Sequence, residues 1–110
     1  MDQPHSTIDL ASMQVAAAQA CALLKVLANP DRLLLMCRLS QGELSVGELE
    51  EQLGIRQPTL SQQLGVLREN SLVATRRDGK SIFYSVASPQ ALAVMAVLYE
   101  QFCANQEATC

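Results

Sequence analysis

The chain has 110 residues, 49% of them hydrophobic but only 4% aromatic, and a formal net charge of −3. That length suits one domain whose core is built from Leu, Val, Ala and Met. No run of about 18 uncharged apolar residues is present to span a bilayer, and the acidic start MDQPHSTIDL lacks the basic segment of a secretory leader, so a cytoplasmic protein with reduced thiols is expected.

Residues 1–7 show no periodicity and read as a flexible N-terminal tail. From 8 to 27 the chain is Ala-rich, and Ala11, Val15, Ala18, Ala22 and Val26, with Leu23 and Leu27, mark a broad apolar stripe. That much apolar surface on a terminal helix predicts packing on a partner chain as well as on its own core. Asn29-Pro30 is a helix boundary with a capping residue and a proline at the first helical position. The next helix, 30 to about 40, is apolar nearly all round (Leu33, Leu34, Leu35, Met36, Cys37, Leu39), as a central buried helix should be. Gln41-Gly42-Glu43 is read as the turn that follows.

Residues 45–70 organise the rest. Ser45 and Glu48 form a capping-box pattern, Val46, Leu49 and Leu53 recur at helical spacing, and Gly54 stands where the helix would end. Ile55 leads into a second helix with Pro58 in its first turn. Leu60, Leu64 and Leu67 share one face of it, which leaves Thr59, Ser61, Gln62 and Gln63 on the flanks and outer face. Two short helices joined at a glycine, the second with an uncharged polar face, describe a helix-turn-helix whose Gln, Ser and Thr side chains suit base edges in a major groove.

The period then switches to that of strands. Residues 72–75 and 82–86 read as a hairpin around Arg76-Arg77-Asp78-Gly79-Lys80, with Asp-Gly as the turn signal. A basic-tipped hairpin after a reading helix is a wing, placed for Arg76, Arg77 and Lys80 to meet phosphates. Ser88-Pro89 starts a last helix, 89 to about 104, with Leu92, Met95, Ala96, Tyr99, Phe102 and Cys103 on its apolar side; 105–110 is a C-terminal tail. The acidic total conceals a local excess. Residues 52–86 carry a net charge of +3, against −4 for 1–51 and −2 for 87–110. Positive charge therefore sits where phosphate contacts are required. The predicted architecture is mainly α with a small β-hairpin, α-α-α-α-β-β-α, a winged helix-turn-helix over residues 8–104. Gln57, Thr59, Ser61 and Gln62 are the expected base contacts, with Arg56, Arg76, Arg77 and Lys80 on phosphates of double-stranded promoter DNA.

With these elements in place the chain resembles the ArsR/SmtB family of dimeric bacterial repressors. The resemblance lies in residues 24–33 (LKVLANPDRL), 43–49 (ELSVGEL), 57–64 (QPTLSQQL), and 76–80 (RRDGK) before Phe83-Tyr84. It implies a homodimer held by the first and last helices that leaves its promoter when an inducer arrives. Metal sensors of the family carry Cys-x-Cys where this chain has Ser45 and Gly47, neither of which ligates a thiophilic metal. Zinc sensors use Asp, His and Glu on the last helix, which here offers only Glu100; the sole histidine, His5, lies in the tail. No metal site or cofactor is expected.

Four cysteines remain: Cys21, Cys37, Cys103 and Cys110. Each reads by default as a small buried hydrophobe. The placement of Cys37 and Cys103 resembles the thiol pair of the sulfide- and persulfide-responsive branch of the family. The resemblance implies redox sensing through a di-, tri- or tetrasulfide link between the two, with reactive sulfur species as inducer. Cys21 and Cys110 match no pattern. The competing readings are an arsenite- or soft-metal-responsive repressor using cysteine thiolates, a thiol oxidoreductase, which lacks C-x-x-C, and an interaction module that does not bind DNA. An enzyme is not expected.

Overall fold

The computed structural model describes residues 9–104, so the two predicted tails and the start of the first helix at Ile8 lie outside the described residues, as do His5 and Cys110. Five helices and three strands follow one another as α1 (Leu10–Leu27), α2 (Pro30–Leu39), β1 (Leu44–Ser45), α3 (Val46–Leu53), α4 (Thr59–Glu69), β2 (Val73–Asp78), β3 (Ser81–Val86) and α5 (Pro89–Phe102). This is the predicted winged helix-turn-helix with one strand more. β1 pairs antiparallel with β3 through Leu44–Tyr84 and Ser45–Phe83, giving the sheet order β1-β3-β2. Two residues between a turn and a capping box carry no periodicity, so β1 has no signature in the sequence. It exists because β3 offers it an open edge.

The helix boundaries follow local chemistry. Asp9 caps α1 by accepting from the Ser12 N–H, and Asn29 caps α2 by accepting from the Arg32 N–H, with Pro30 at the first helical position. Ser45 and Glu48 close the capping box in both directions, at 3.2 and 2.9 Å. Gly54 ends α3 in the left-handed region at φ +73°, where a side chain would be strained. Pro58 was expected inside the first turn of α4 but stands one position earlier, as its N-cap. The wing differs more. Arg76, Arg77 and Asp78 belong to β2 instead of the turn, and Gly79-Lys80 alone joins the strands, because Asp78 still pairs with Ser81. Gly79 adopts φ +65°, the positive value such tight connections require.

The core gathers where α2, α4 and α5 meet the hairpin. Leu35, Met36, Leu49, Leu60, Leu64 and Leu67 are all but inaccessible, and Leu27, Cys37, Leu39, Leu44, Ile55, Leu72, Val73, Ala91 and Met95 complete the cluster. Leu34, on the opposite side of α2, is exposed, so α2 is not buried all round. Two helices depart from the expected one-sided burial. Of α1 only Leu27 is buried, with Leu23 and Val26 packed against the core; Leu10, Met13, Val15 and Leu24 stand out, 54–68% exposed. On α5 the inward residues are Ala91, Val94, Met95 and Leu98, while Leu92, Tyr99 and Phe102 from the predicted apolar side face outward with Val97. The α5 sequence is apolar on both sides, so a single stripe cannot be told from two. By length and composition α1 is also apolar enough to cross a bilayer, contrary to the reading above. Gln14, Gln19 and Lys25 interrupt it, and α5 carries an outward apolar face as well.

Candidate nucleic-acid interface and thiol pair

The reading surface is made by burying one side of α4. Leu60, Leu64 and Leu67 are 0–1% exposed, which fixes the rotation of the helix and turns Ser61 and Gln62 outward. Thr59 is half-buried at the helix start, and Gln57 and Arg56 are exposed in the turn before it. Gln57 has a local task as well. Its side-chain oxygen accepts from the Ser61 N–H at 3.1 Å, satisfying one of the unpaired donors at the start of α4.

Gln63, grouped with the outer polar residues on sequence, turns inward. Its oxygen accepts from Arg32 Nη1 at 2.8 Å, and Arg32 Nε donates to the Val26 carbonyl at 2.6 Å. One guanidinium thus latches the end of α1 and the start of α2 to the reading helix. No spacing rule exposes a contact between residues 31 positions apart.

Arg77 and Lys80 are exposed at the far end of the wing. Arg76, expected with them, is directed elsewhere. Its Nε and Nη2 donate to the two carboxylate oxygens of Glu43 at 2.7 and 2.8 Å, its guanidinium lies 4.6 Å from the centre of the Phe83 ring, and Asp78 is 3.8 Å from Nη1. Hydrogen bonding from Arg76 holds the Glu43 carboxyl below the usual carboxylate range, and the same contact raises the guanidinium. Sequence reading missed Glu43 because a turn carboxylate 33 residues from its partner looks like surface charge.

Cys37 is buried on α2, and Cys103 is half-buried at the C-cap of α5. The two are not joined to each other: Cys37 is disulfide-bonded, while Cys103 and the exposed Cys21 carry free thiols. α2 packs on α5, and a groove of about 400 Å³ runs between them, lined by Ser40, Gln41, Leu92, Met95, Ala96 and Tyr99. Ser40 is the C-cap of α2, three residues after Cys37, and Ala96 and Tyr99 lie two turns and one turn before Cys103 on α5. The Ser40 hydroxyl also donates to the Cys37 carbonyl at 2.6 Å. No group of three or more His, Cys, Asp or Glu arranged to hold a metal occurs among the described residues.

Comparison with known proteins agrees with this geometry. The sequence pattern of "Bacterial regulatory protein, arsR family" matches residues 29–75. The biofilm growth-associated repressor of Agrobacterium fabrum is 56% identical over 100 residues, covering 91% of this chain and 86% of the repressor. The crystal structure of the transcriptional repressor BigR from Xylella fastidiosa superposes with a TM-score of 0.81 at 51% identity, covering 89% of this chain and 100% of that one. A homodimeric winged helix-turn-helix DNA-binding domain from Mycobacterium bovis gives 0.68 at 27% identity, covering 84% and 85% of the two chains. A buried-leucine reading helix, a hairpin wing and relatives of this similarity over nearly the whole length place the protein in the ArsR family of bacterial regulatory proteins.

Proposed function

We propose that this protein is a cytoplasmic, homodimeric transcriptional repressor that binds promoter DNA and is released by reactive sulfur species. The observation that carries the DNA reading is the division of α4 into a buried leucine face and an exposed uncharged polar face flanked by cations. Gln57, Thr59, Ser61 and Gln62 contact bases in the major groove, and Arg56, Arg77 and Lys80 contact phosphates. Arg76 was expected among the phosphate contacts; in the free protein it is held by Glu43. The outward apolar residues of α1 and α5 form the seam with a second copy, in keeping with the homodimeric relative. Two α4 helices then address half-sites about 34–36 Å apart.

What supports the thiol chemistry is the packing of α2, which carries Cys37, on α5, which ends at Cys103, together with the resemblance in cysteine placement noted in the sequence. Cellular thiols reduce an ordinary disulfide, which gives Cys37 as a thiol on α2, the helix packed on the α5 that ends at the Cys103 thiol. The Cys103 thiolate attacks a polysulfide and takes up sulfane sulfur, with hydrosulfide leaving. The Cys37 thiolate then attacks the resulting hydropolysulfide and expels a second hydrosulfide, leaving the two cysteines linked through two or more sulfurs. Two thiols are oxidised and the sulfane sulfur is reduced. Each inserted sulfur lengthens the bridge by about 2 Å. A link between α2, beneath the reading head, and α5, at the seam, changes the spacing of the two heads.

Selection of duplexes from a random-sequence pool, followed by fluorescence anisotropy on the enriched site, tests the first part. Enrichment of a palindrome, with affinity falling steeply as salt rises, is expected; a pool that stays random sinks it. Polysulfide added to the reduced protein then releases the site, and Cys37→Ser and Cys103→Ser each abolish that release. A response that survives in both variants removes the pair from the mechanism, and arsenite-dependent release with thiolate absorption would favour the soft-metal alternative.

A further inference from the structure

The contacts of Arg76 assign it a different task from its neighbours on the wing. Arg76 and Phe83 are directly opposed on β2 and β3, and Phe83 is opposed in turn to Ser45 on β1. Glu43 lies just before β1, so the Arg76 side chain crosses the central strand over the Phe83 ring and closes on a carboxylate at the other edge of the sheet. Strands flanking a central one are about 10 Å apart, a span that a long side chain reaching toward another can close. Both carboxylate oxygens are used, the fork geometry that gives an exposed ion pair more weight than a single contact. Glu43 itself is tethered to the end of α2, where the Gln41 N–H bonds the Arg38 carbonyl and the Gly42 N–H bonds the Leu39 carbonyl, each at 3.1 Å.

We propose that Arg76 is a positioning residue and not a phosphate contact: with Glu43 and the Phe83 ring it forms a strut that fixes the wing relative to the end of α2, the helix that carries Cys37. The strut holds Arg77 and Lys80 in register with the reading helix, and a displacement of α2 reaches the wing through it. This rests on the DNA-binding reading above, and its test separates the two.

Without DNA, the Arg76 Nε–H of the full-length protein should give a resolved, slowly exchanging NMR resonance that Glu43→Gln removes. Absence of that resonance in the wild type overturns the strut whether or not DNA is bound. With a selected duplex, Arg77→Met and Lys80→Met each reduce the slope of log K against log salt by about 1.8, since each wing of the dimer loses a phosphate contact worth about 0.9. Arg76→Met leaves the slope unchanged while affinity falls about fivefold, the size of a weak coupling between sites. Glu43→Gln lowers affinity in the same way, and the exchange Glu43→Arg with Arg76→Glu restores it. A slope reduced in Arg76→Met, or tighter and more salt-dependent binding in Glu43→Gln, would show Arg76 to be a phosphate contact that Glu43 masks, and would overturn the proposal. Failure of the wild type to bind any duplex retires the DNA reading and with it the positioning role, and the resonance still decides whether the strut exists.

Discussion

α4 and α1 are both helices with abundant apolar residues, and they meet opposite fates. The three leucines of α4 are 0–1% exposed, while Leu10, Met13, Val15 and Leu24 of α1 are 54–68% exposed. α4 has α2 behind it and the sheet at its end, so its apolar face is removed from water within one chain. α1 reaches the core only near its C-terminal end, through Leu23, Val26 and Leu27. Apolar burial is worth roughly 25 cal/mol per Å² wherever it occurs, so the α1 surface is stabilising only when another surface covers it. One helix stabilises the protomer; the other is proposed to stabilise the pair.

That contrast is open to attack by mutation. Leu64→Ala should cost about 2–5 kcal/mol of protomer stability through cavity formation, read by chemical denaturation; a cost below about 1 kcal/mol would mean the α4 face is not the anchor described. Ser45→Ala removes the capping box that starts the helix-turn-helix and should cost about 0.5–2 kcal/mol. Leu24→Glu on α1 should change protomer stability by no more than about 0.5 kcal/mol, as surface substitutions do. It should nevertheless abolish a rise of Tm with protein concentration that the wild type shows. A wild-type Tm independent of concentration would end the assignment of α1 to a dimer seam.

The smallest effect expected is that of pH on the wing. Hydrogen bonding from Arg76 depresses the folded-state pKa of Glu43 below its unfolded value. Its stabilising contribution is therefore complete above the ordinary carboxylate range and is lost as pH falls through that range to the depressed value. Wing resonances followed by NMR should broaden or shift over that acidic window in the wild type and not in Glu43→Gln; identical titrations would deny the Glu43 contact any influence on the wing.

Much of this was legible in the chain because it depends on neighbours in sequence. Asn29-Pro30, the Ser45–Glu48 box, Gly54 and Ser88-Pro89 are local devices, and each sits at a helix end as expected. The periodicity of Leu60, Leu64 and Leu67 identified the buried face of α4, and hence its polar one. Where two faces were apolar, as on α5, period alone mixed them, placing buried Met95 with outward Leu92, Tyr99 and Phe102, and where a strand had only two residues, as in β1, there was no period to see.

The sequence by itself therefore determined the order and ends of the helices, the hairpin and the polar face of α4, since capping, glycine geometry and amphipathic spacing act within a few residues. Only the tertiary structure decided which apolar face meets the core, that Gln63 turns in to Arg32, and that Arg76 turns away from the other wing cations to Glu43. Such choices are made between groups some thirty residues apart along the chain, whose proximity follows from packing and leaves no mark in local pattern.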